Sequence, residues 1–243
     1  MDAKTFGSLL SQIFGKNNLT KLISFPKTEK FYQLTERLLT ENEKYNLTAI
    51  TEIEKIILLH YADSLTLSPY LKKGASLIDV GTGAGFPSLP LAICREDLSI
   101  TATDATEKRV NYVAETAAML GLGNVKAITM RAEAGAKEKA HREQYDIACA
   151  RGVANLRVLC EYCLPFVKVG GMMIAMKGQG AQREASDAKR AIAMLGGKLK
   201  AVVPCPLTDG REVYEHQLVL IEKIAPTNQT YPRDNSQITK KPL

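Results

Sequence analysis

The sequence predicts an α/β protein. Its centre is a mostly parallel seven-stranded sheet with helices on both faces, finished by an antiparallel C-terminal hairpin and preceded by a helical N-terminal segment. Three observations carry this. From Ser76 onward, short apolar runs alternate with amphipathic helical patterns, the rhythm of right-handed strand–helix–strand crossovers. Before Ser76, apolar residues recur at helical spacing instead. After the fifth strand, Asp209-Gly210 separates two extended runs, a hairpin-type turn signal. A chain of 243 residues, 45% of them hydrophobic, fills a substantial core without disulfide staples.

Residues 1–74 form the helical segment. Phe31, Leu34, Leu38 and Leu39 mark one helix between Glu29 and Glu43. Ile53, Ile56, Ile57, His60 and Leu65 mark a second, with Thr51 and Glu54 spaced as a capping box. Residues 75–224 form the sheet domain. Its strands are expected at Ser76–Val80, Ile100–Thr103, Val125–Met130, Tyr145–Ala150 and Met172–Met176, the last entered through Gly170-Gly171. Helices are expected from Glu107 to Leu120, from about Val153 to Val167, and from Gln182 to Leu195. Lys198–Val203 and Val213–Ile224 make the closing hairpin. Residues 225–243 read as an aperiodic tail on the surface.

Charge and cysteine content narrow the class. Residues 75–150 carry 8 basic and 10 acidic side chains, whereas residues 151–243 carry 14 and 8, so the net +6 lies in the C-terminal part. That distribution suits a small-molecule pocket beside a surface for a polyanion. No run approaches the ~20 apolar residues of a membrane span. The N-terminus lacks a signal-peptide pattern, and five cysteines, an odd number, fit a reduced cytoplasmic protein.

The most informative motif is Asp79-Val80-Gly81-Thr82-Gly83-Ala84-Gly85-Phe86-Pro87. A strand, a glycine-rich turn and a helix let backbone approach a ligand at the carboxyl edge of a sheet. The spacing is G-x-G-x-G, with Phe86 where the dinucleotide pattern needs glycine, and no P-loop lysine follows. Asp79, two residues before the first glycine, disfavours pyrophosphate and favours a ligand with a cationic amine. Asp104 ends the second strand 23 positions after Gly81, where a ribose-binding carboxylate belongs. Together they predict a nucleoside-containing cofactor held by Asp79, Gly81, Thr82, Gly83, Gly85, Phe86 and Asp104, with Ala132 and Glu133 near its base.

At this point the chain resembles a known family, the bacterial small-subunit ribosomal RNA guanine-N7 methyltransferases, or glucose-inhibited division protein B family. The resemblance rests on Lys44-Tyr45-Asn46-Leu47-Thr48, His60-Tyr61-Ala62-Asp63-Ser64-Leu65, the glycine loop, and Asp104 with Lys108-Arg109-Val110. It continues through Ala150-Arg151-Gly152-Val153-Ala154, Lys177-Gly178-Gln179, Tyr231-Pro232-Arg233 and Lys240-Lys241-Pro242-Leu243. The chain departs at Gly152, where many members carry Ala, and at Thr103-Asp104-Ala105, where Leu-Asp-Ser is more usual. The resemblance implies a Rossmann-like S-adenosylmethionine-dependent methyltransferase fold. It also implies S-adenosylmethionine as donor, and as target one guanine in the 530 loop of 16S ribosomal RNA, in naked RNA or an assembly particle. The protein is expected to act as a monomer, without a metal.

Arg151 and Lys177 each follow a strand at the cofactor edge and are the expected catalytic and RNA-contacting residues, Arg151 touching the cofactor site as well. Arg233, Lys240 and Lys241 are expected to extend the positive surface. His60 is expected to be a structural hydrogen-bonding group, with Asp63, three residues on, as its candidate partner. Cys160 and Cys163 form a lone C-x-x-C on a helix. Pro204-Cys205 has the dipeptide of cytosine-C5 methyltransferases but falls too late in the chain. The competing readings are a methyltransferase of another RNA or of a small molecule, and a non-enzymatic RNA-binding module, which would not need the glycine loop and Asp104 together.

Overall fold

The computed structural model describes residues 1–243. The helical segment comprises α1 (Ala3–Lys16), α2 (Phe25–Tyr45) and a composite third helix. The composite consists of α3 (Ile53–Ile56), a π-helical turn (Ile57–Ala62) and α4 (Asp63–Leu65). The Asp2 side chain caps α1, accepting from Thr5 N at 2.8 Å. The expected Thr51–Glu54 capping box is absent. The helix starts at Ile53, one residue late for it, with Glu52 at the cap position and no side chain closing the turn.

The rest of the chain runs β1 (Ser76–Val80), α5 (Ser88–Cys94), β2 (Ser99–Asp104), α6 (Glu107–Met119), β3 (Val125–Thr129), α7 (Ala132–Gly135) and β4 (Tyr145–Arg151). It continues with α8 (Leu156–Cys163), β5 (Val167–Lys177), α9 (Ala181–Asp187), α10 (Lys189–Met194) and β6 (Gly197–Pro204). Last come β7 (Leu207–Thr208), β8 (Val213–Tyr214), β9 (Gln217–Lys223) and α11 (Asn235–Lys240). The main sheet has seven strands in the order β3-β2-β1-β4-β5-β9-β6. The first five are parallel, and β9 inserts antiparallel between β5 and β6.

Several expected boundaries move, for local reasons. Gly170-Gly171 is an irregularity inside β5, not a turn leading into it; pairing with β4 jumps from Tyr145↔Val167 to Ile147↔Met172. A Cβ on Gly171 would lie 2.5 Å from the Asp146 carbonyl oxygen, so only glycine permits that approach. The helix expected over 182–195 breaks at Ala188 into α9 and α10. Asp209-Gly210 does turn a hairpin, but a small one, β7–β8, in a separate two-stranded sheet. The expected strand Val213–Ile224 is therefore two strands, and β6 and β9 pair across this excursion. The tail is not aperiodic throughout: α11 buries Ile238 against the sheet domain.

Two hydrophobic cores flank the sheet. One joins Phe6, Phe14, Phe31, Leu38 and Tyr61 of the N-terminal helices to Leu77, Ile100, Ile147 and Ile174 on one sheet face. The other packs α8, α9 and α10 against the opposite face, through Ile78, Ala148, Met173 and Val219. The N-terminal helices therefore share their core with the sheet. Thr35 of α2, buried, meets the Tyr61 hydroxyl at 2.7 Å, and Arg37 reaches Glu115 and Thr116 of α6.

Candidate functional site

A cavity of about 530 Å³ opens at the carboxyl edge of β1, β2 and β4. Its floor is the glycine loop. Gly81 (φ +77°) and Gly83 (φ +59°) occupy backbone conformations that favour glycine. Gly81 N and Thr82 N donate to Thr103 O at 2.8 and 2.7 Å, and Gly83 N donates to Asp104 Oδ2 at 3.1 Å. These amides are already satisfied within the protein, so the loop is not a phosphate cradle. A Cβ on Gly81 would sit 2.7 Å from Val153 Cγ2, whereas one on Gly83 meets nothing within 4 Å. Gly83→Ala therefore acts through backbone strain and through any ligand above it, not through a clash with protein.

The structure brings most of the expected cofactor residues together. Gly81, Thr82, Gly83, Phe86, Asp104, Ala132, Glu133 and Arg151 all line the cavity. Asp104 is 6% exposed; its Oδ1 accepts from Thr106 N at 2.9 Å, and Arg109 lies 3.6 Å from Oδ2. Two expected residues stand behind the wall instead. Gly85 packs against Leu89 and Val113. Asp79 is fully buried, its Oδ2 accepting from Ser88 Oγ at 2.7 Å while its Oδ1 has no hydrogen-bond partner. A cation above the loop would feel this orphaned oxygen through its field, without direct contact.

Burial pushes the Asp79 carboxyl up to about 6, opposed by the hydrogen bond from Ser88 and by the Arg151 charge. Its folded pKa is above the unfolded one, so its stability contribution is full below pH ~4 and is lost as pH rises through about 6. Asp79→Asn removes that loss. Thermal melts should show the variant gaining on the wild type by a few degrees more at pH 8 than at pH 5; a pH-independent difference contradicts the assignment.

The other end of the cavity is built around Arg151, the last residue of β4. Its Nη1 donates to Leu59 O at 2.8 Å and to Asp63 Oδ2 at 2.9 Å; its Nη2 donates to His60 Nδ1 at 3.2 Å. The guanidinium lies 5.4 Å from the centre of the Phe86 ring, and the His60 ring stacks on Phe86 at 4.4 Å. The π-helical turn, of a kind frequent at functional sites, presents Leu59 O and His60 to Arg151, and Asp63, the first residue of α4, joins them. His60 does not bond Asp63 as expected. Its Nε2 meets Thr48 Oγ1 at 2.9 Å, while Asp63 Oδ1 takes His216 Nδ1 at 2.8 Å. Burial and the Arg151 charge lower the His60 pKa to about 3, so the ring is neutral. Burial alone would raise the Asp63 carboxyl, but His216 and Arg151 outweigh it and hold it below the usual range.

Lys177 and Arg233 are not free cations. Arg151 pairs in register with Met176, so Lys177, one residue further, projects from the opposite sheet face. There its Nζ donates to Ala154 O at 2.7 Å and pairs with Glu184 at 2.8 Å, away from the cavity wall. Arg233 forms a two-pronged pair with fully buried Glu161, at 2.9 and 2.7 Å, and clamps the tail. Lys240 and Lys241 are exposed. Cys160 and Cys163 are buried, and burial pushes the Cys205 thiol up to about 11, which suits none of them to nucleophilic attack.

Thr48, Tyr162 and Asn235 also line the cavity, and sequence reasoning missed all three. Asn235 opens α11 and accepts from the Tyr162 hydroxyl, so the tail forms part of the wall. No spacing rule links positions 48, 162 and 235.

Known proteins resemble this chain in sequence and in fold. The family described as GidB, rRNA small subunit methyltransferase G, matches residues 27–214. A Clostridium perfringens (strain 13 / Type A) protein, Ribosomal RNA small subunit methyltransferase G, is 48% identical over 219 residues, 89% of this chain and 91% of its own length. The protein of the same name from Alkaliphilus metalliredigens is 47% identical over 85% of this chain and 86% of its own. Among solved structures, a SAM-dependent methyltransferase from Aquifex aeolicus aligns with TM-score 0.55 at 20% identity, covering 74% of this chain and 97% of that one. M. jannaschii TYW2 in complex with AdoMet aligns with TM-score 0.53 at 15% identity, covering 67% and 75%. At these identities the structural likenesses speak to the fold.

Proposed function

The chain belongs to the GidB family and is an S-adenosylmethionine-dependent methyltransferase of small-subunit ribosomal RNA; from that premise we propose that it methylates N7 of a guanine in the 530 loop of 16S ribosomal RNA. The observation that carries the choice of N7 is chemical. At the Arg151 end of the cavity no group is free to remove a proton. His60 Nδ1 is occupied by Arg151, its Nε2 by Thr48, and Asp63 by Arg151 and His216. Guanine N7 has no proton to lose, so it suits a site that supplies only alignment and field.

S-adenosylmethionine, when bound, supplies a methyl group already activated on sulfonium, and in-line transfer from it needs neither a covalent enzyme intermediate nor a metal. The residues present fit this cofactor. The Gly81–Gly83 backbone and the buried Asp79 charge would hold its ammonium end, Asp104 the ribose hydroxyls, and Ala132 and Glu133 the base. Phe86 would line the cofactor side of the cavity, and Arg151 would stand beside the incoming guanine. A bidentate contact from Arg151 to O6 and N7 is excluded, because N7 must face the methyl group. Arg151 would therefore approach O6, a phosphate or the base face.

The test is transfer of labelled methyl to 16S ribosomal RNA, as naked RNA, assembly particle and whole subunit, followed by mapping of the label. Label on a guanine N7 in the 530 loop supports the reading; label elsewhere overturns it. The exposed Lys240 and Lys241 would hold RNA backbone. Replacing both with alanine is expected to weaken RNA binding and to shrink its salt slope by roughly 0.7–0.9 for each phosphate no longer neutralised. The rate at saturating RNA should barely change. An unaltered salt slope removes the tail from the RNA surface.

A further inference from the structure

We infer that Thr48 is a specificity-determining residue whose hydroxyl donates a hydrogen bond to O6 of the target guanine, with His60 as the positioning residue that aims it. The inference rests on the proposed guanine target. Donors and acceptors around Thr48 can be counted one by one. A guanidinium has donors only, so His60 Nδ1, 3.2 Å from Arg151 Nη2, must be an acceptor. A neutral imidazole then carries its single proton on Nε2. That proton points at Thr48 Oγ1, 2.9 Å away. Ile50 N donates to the same oxygen at 3.1 Å. A hydroxyl has two acceptor lone pairs, and both are now occupied. Its own proton has no acceptor in the protein, and Thr48 lines the cavity.

The hydroxyl is therefore a donor, held in place and without an internal partner. Its support is rigid. Asn46 ends α2 in the left-handed conformation (φ +49°), and Thr48 N donates to Asn42 Oδ1 at 2.8 Å. Below, the His60 ring lies against Phe86 at 14° between planes. A fixed donor selects bases that present an acceptor. Guanine presents O6, where adenine presents an amino group that would face Thr48 donor to donor. Both purines have N7, so N7 chemistry alone cannot tell them apart. A single donor aimed at O6 can do so without touching N7, the limitation that keeps Arg151 from its usual bidentate contact.

The experiment combines protein and RNA changes under single-turnover conditions. The RNA carries either guanosine or 2-aminopurine riboside at the target position; the latter keeps N7 and lacks O6. The wild type is expected to methylate the 2-aminopurine RNA on the order of 10- to 100-fold more slowly. Thr48→Val should show a similar loss on the guanosine RNA and no added loss on the 2-aminopurine RNA. Thr48→Ser, which keeps the hydroxyl, should recover most of the guanosine rate. Calorimetric affinity for S-adenosylhomocysteine should be the same in all three proteins. His60→Ala should narrow the guanosine to 2-aminopurine ratio, and His60→Gln, which restores a nitrogen donor, should widen it again.

Equal wild-type rates on the two RNAs overturn the proposal without any protein variant and leave the guanine-N7 reading standing. So does a Thr48→Val loss of equal size on both RNAs, or one matched by reduced cofactor affinity. An unchanged ratio in His60→Ala overturns the role given to His60. A label mapped to a base other than guanine overturns this inference and the proposed target together.

Discussion

For the proposed guanine-N7 target, Arg151→Ala is expected to lower the methyl-transfer rate by roughly 100-fold or more even at saturating RNA, because misplacing N7 by about 1 Å would spoil the in-line approach. Donor affinity should fall far less. Arg151 ties β4 to the π-helical turn through Leu59 O and His60 and to α4 through Asp63, and its loss strips Asp63, 2% exposed, of one of its two partners. Breaking such a pair costs about 3 kcal/mol, so the melting temperature should drop as well. Rates must be compared well below the variant's melting point. If full rate returns when RNA is simply added in excess, Arg151 is a backbone contact and its placement beside the base is wrong.

Asp104→Ala is expected to weaken donor binding on the order of 100-fold. Two effects coincide. On the proposed ribose assignment the hydroxyls would lose their charged acceptor, and two backbone amides, Gly83 N and Thr106 N, lose theirs at the cavity floor. Each unsatisfied amide costs roughly 1–3 kcal/mol, and Gly83 belongs to the loop that would approach the donor. Asp104→Asn keeps an acceptor oxygen but not the charge, and should fall between. Calorimetry with S-adenosylmethionine is the measurement. Unchanged affinity in a folded Asp104→Ala protein refutes the ribose assignment.

That the glycine loop and Asp104 meet at one edge of the sheet was legible because these residues are local. Gly81, Gly83 and Phe86 lie within one strand–turn unit, with Asp79 buried behind it, and Asp104 ends the neighbouring strand; a parallel sheet must place such residues side by side. The strand rhythm from Ser76 fixed the parallel core for the same reason. Each strand and helix announces itself within a few residues, and handed crossovers limit how they assemble.

The Arg151 end was not legible, because its contacts span the chain. Nothing in the spacing of positions 48, 60, 63, 151 and 216 says that they meet; packing the helical segment against one sheet face brings them together. Lys177 shows the same limit in reverse. Its position at a strand end is correct, but a one-residue offset from Arg151's partner sends it to the other face and to Glu184. Arg233 reads as a surface cation until its pairing with buried Glu161 is seen. The residue order alone therefore determined the sheet, the glycine loop, Asp104 and the family. Which cations stay free, which histidine is neutral and which hydroxyl keeps a proton for the cavity were decided by tertiary structure, because charge pairing and hydrogen-bond direction depend on neighbours that only folding supplies.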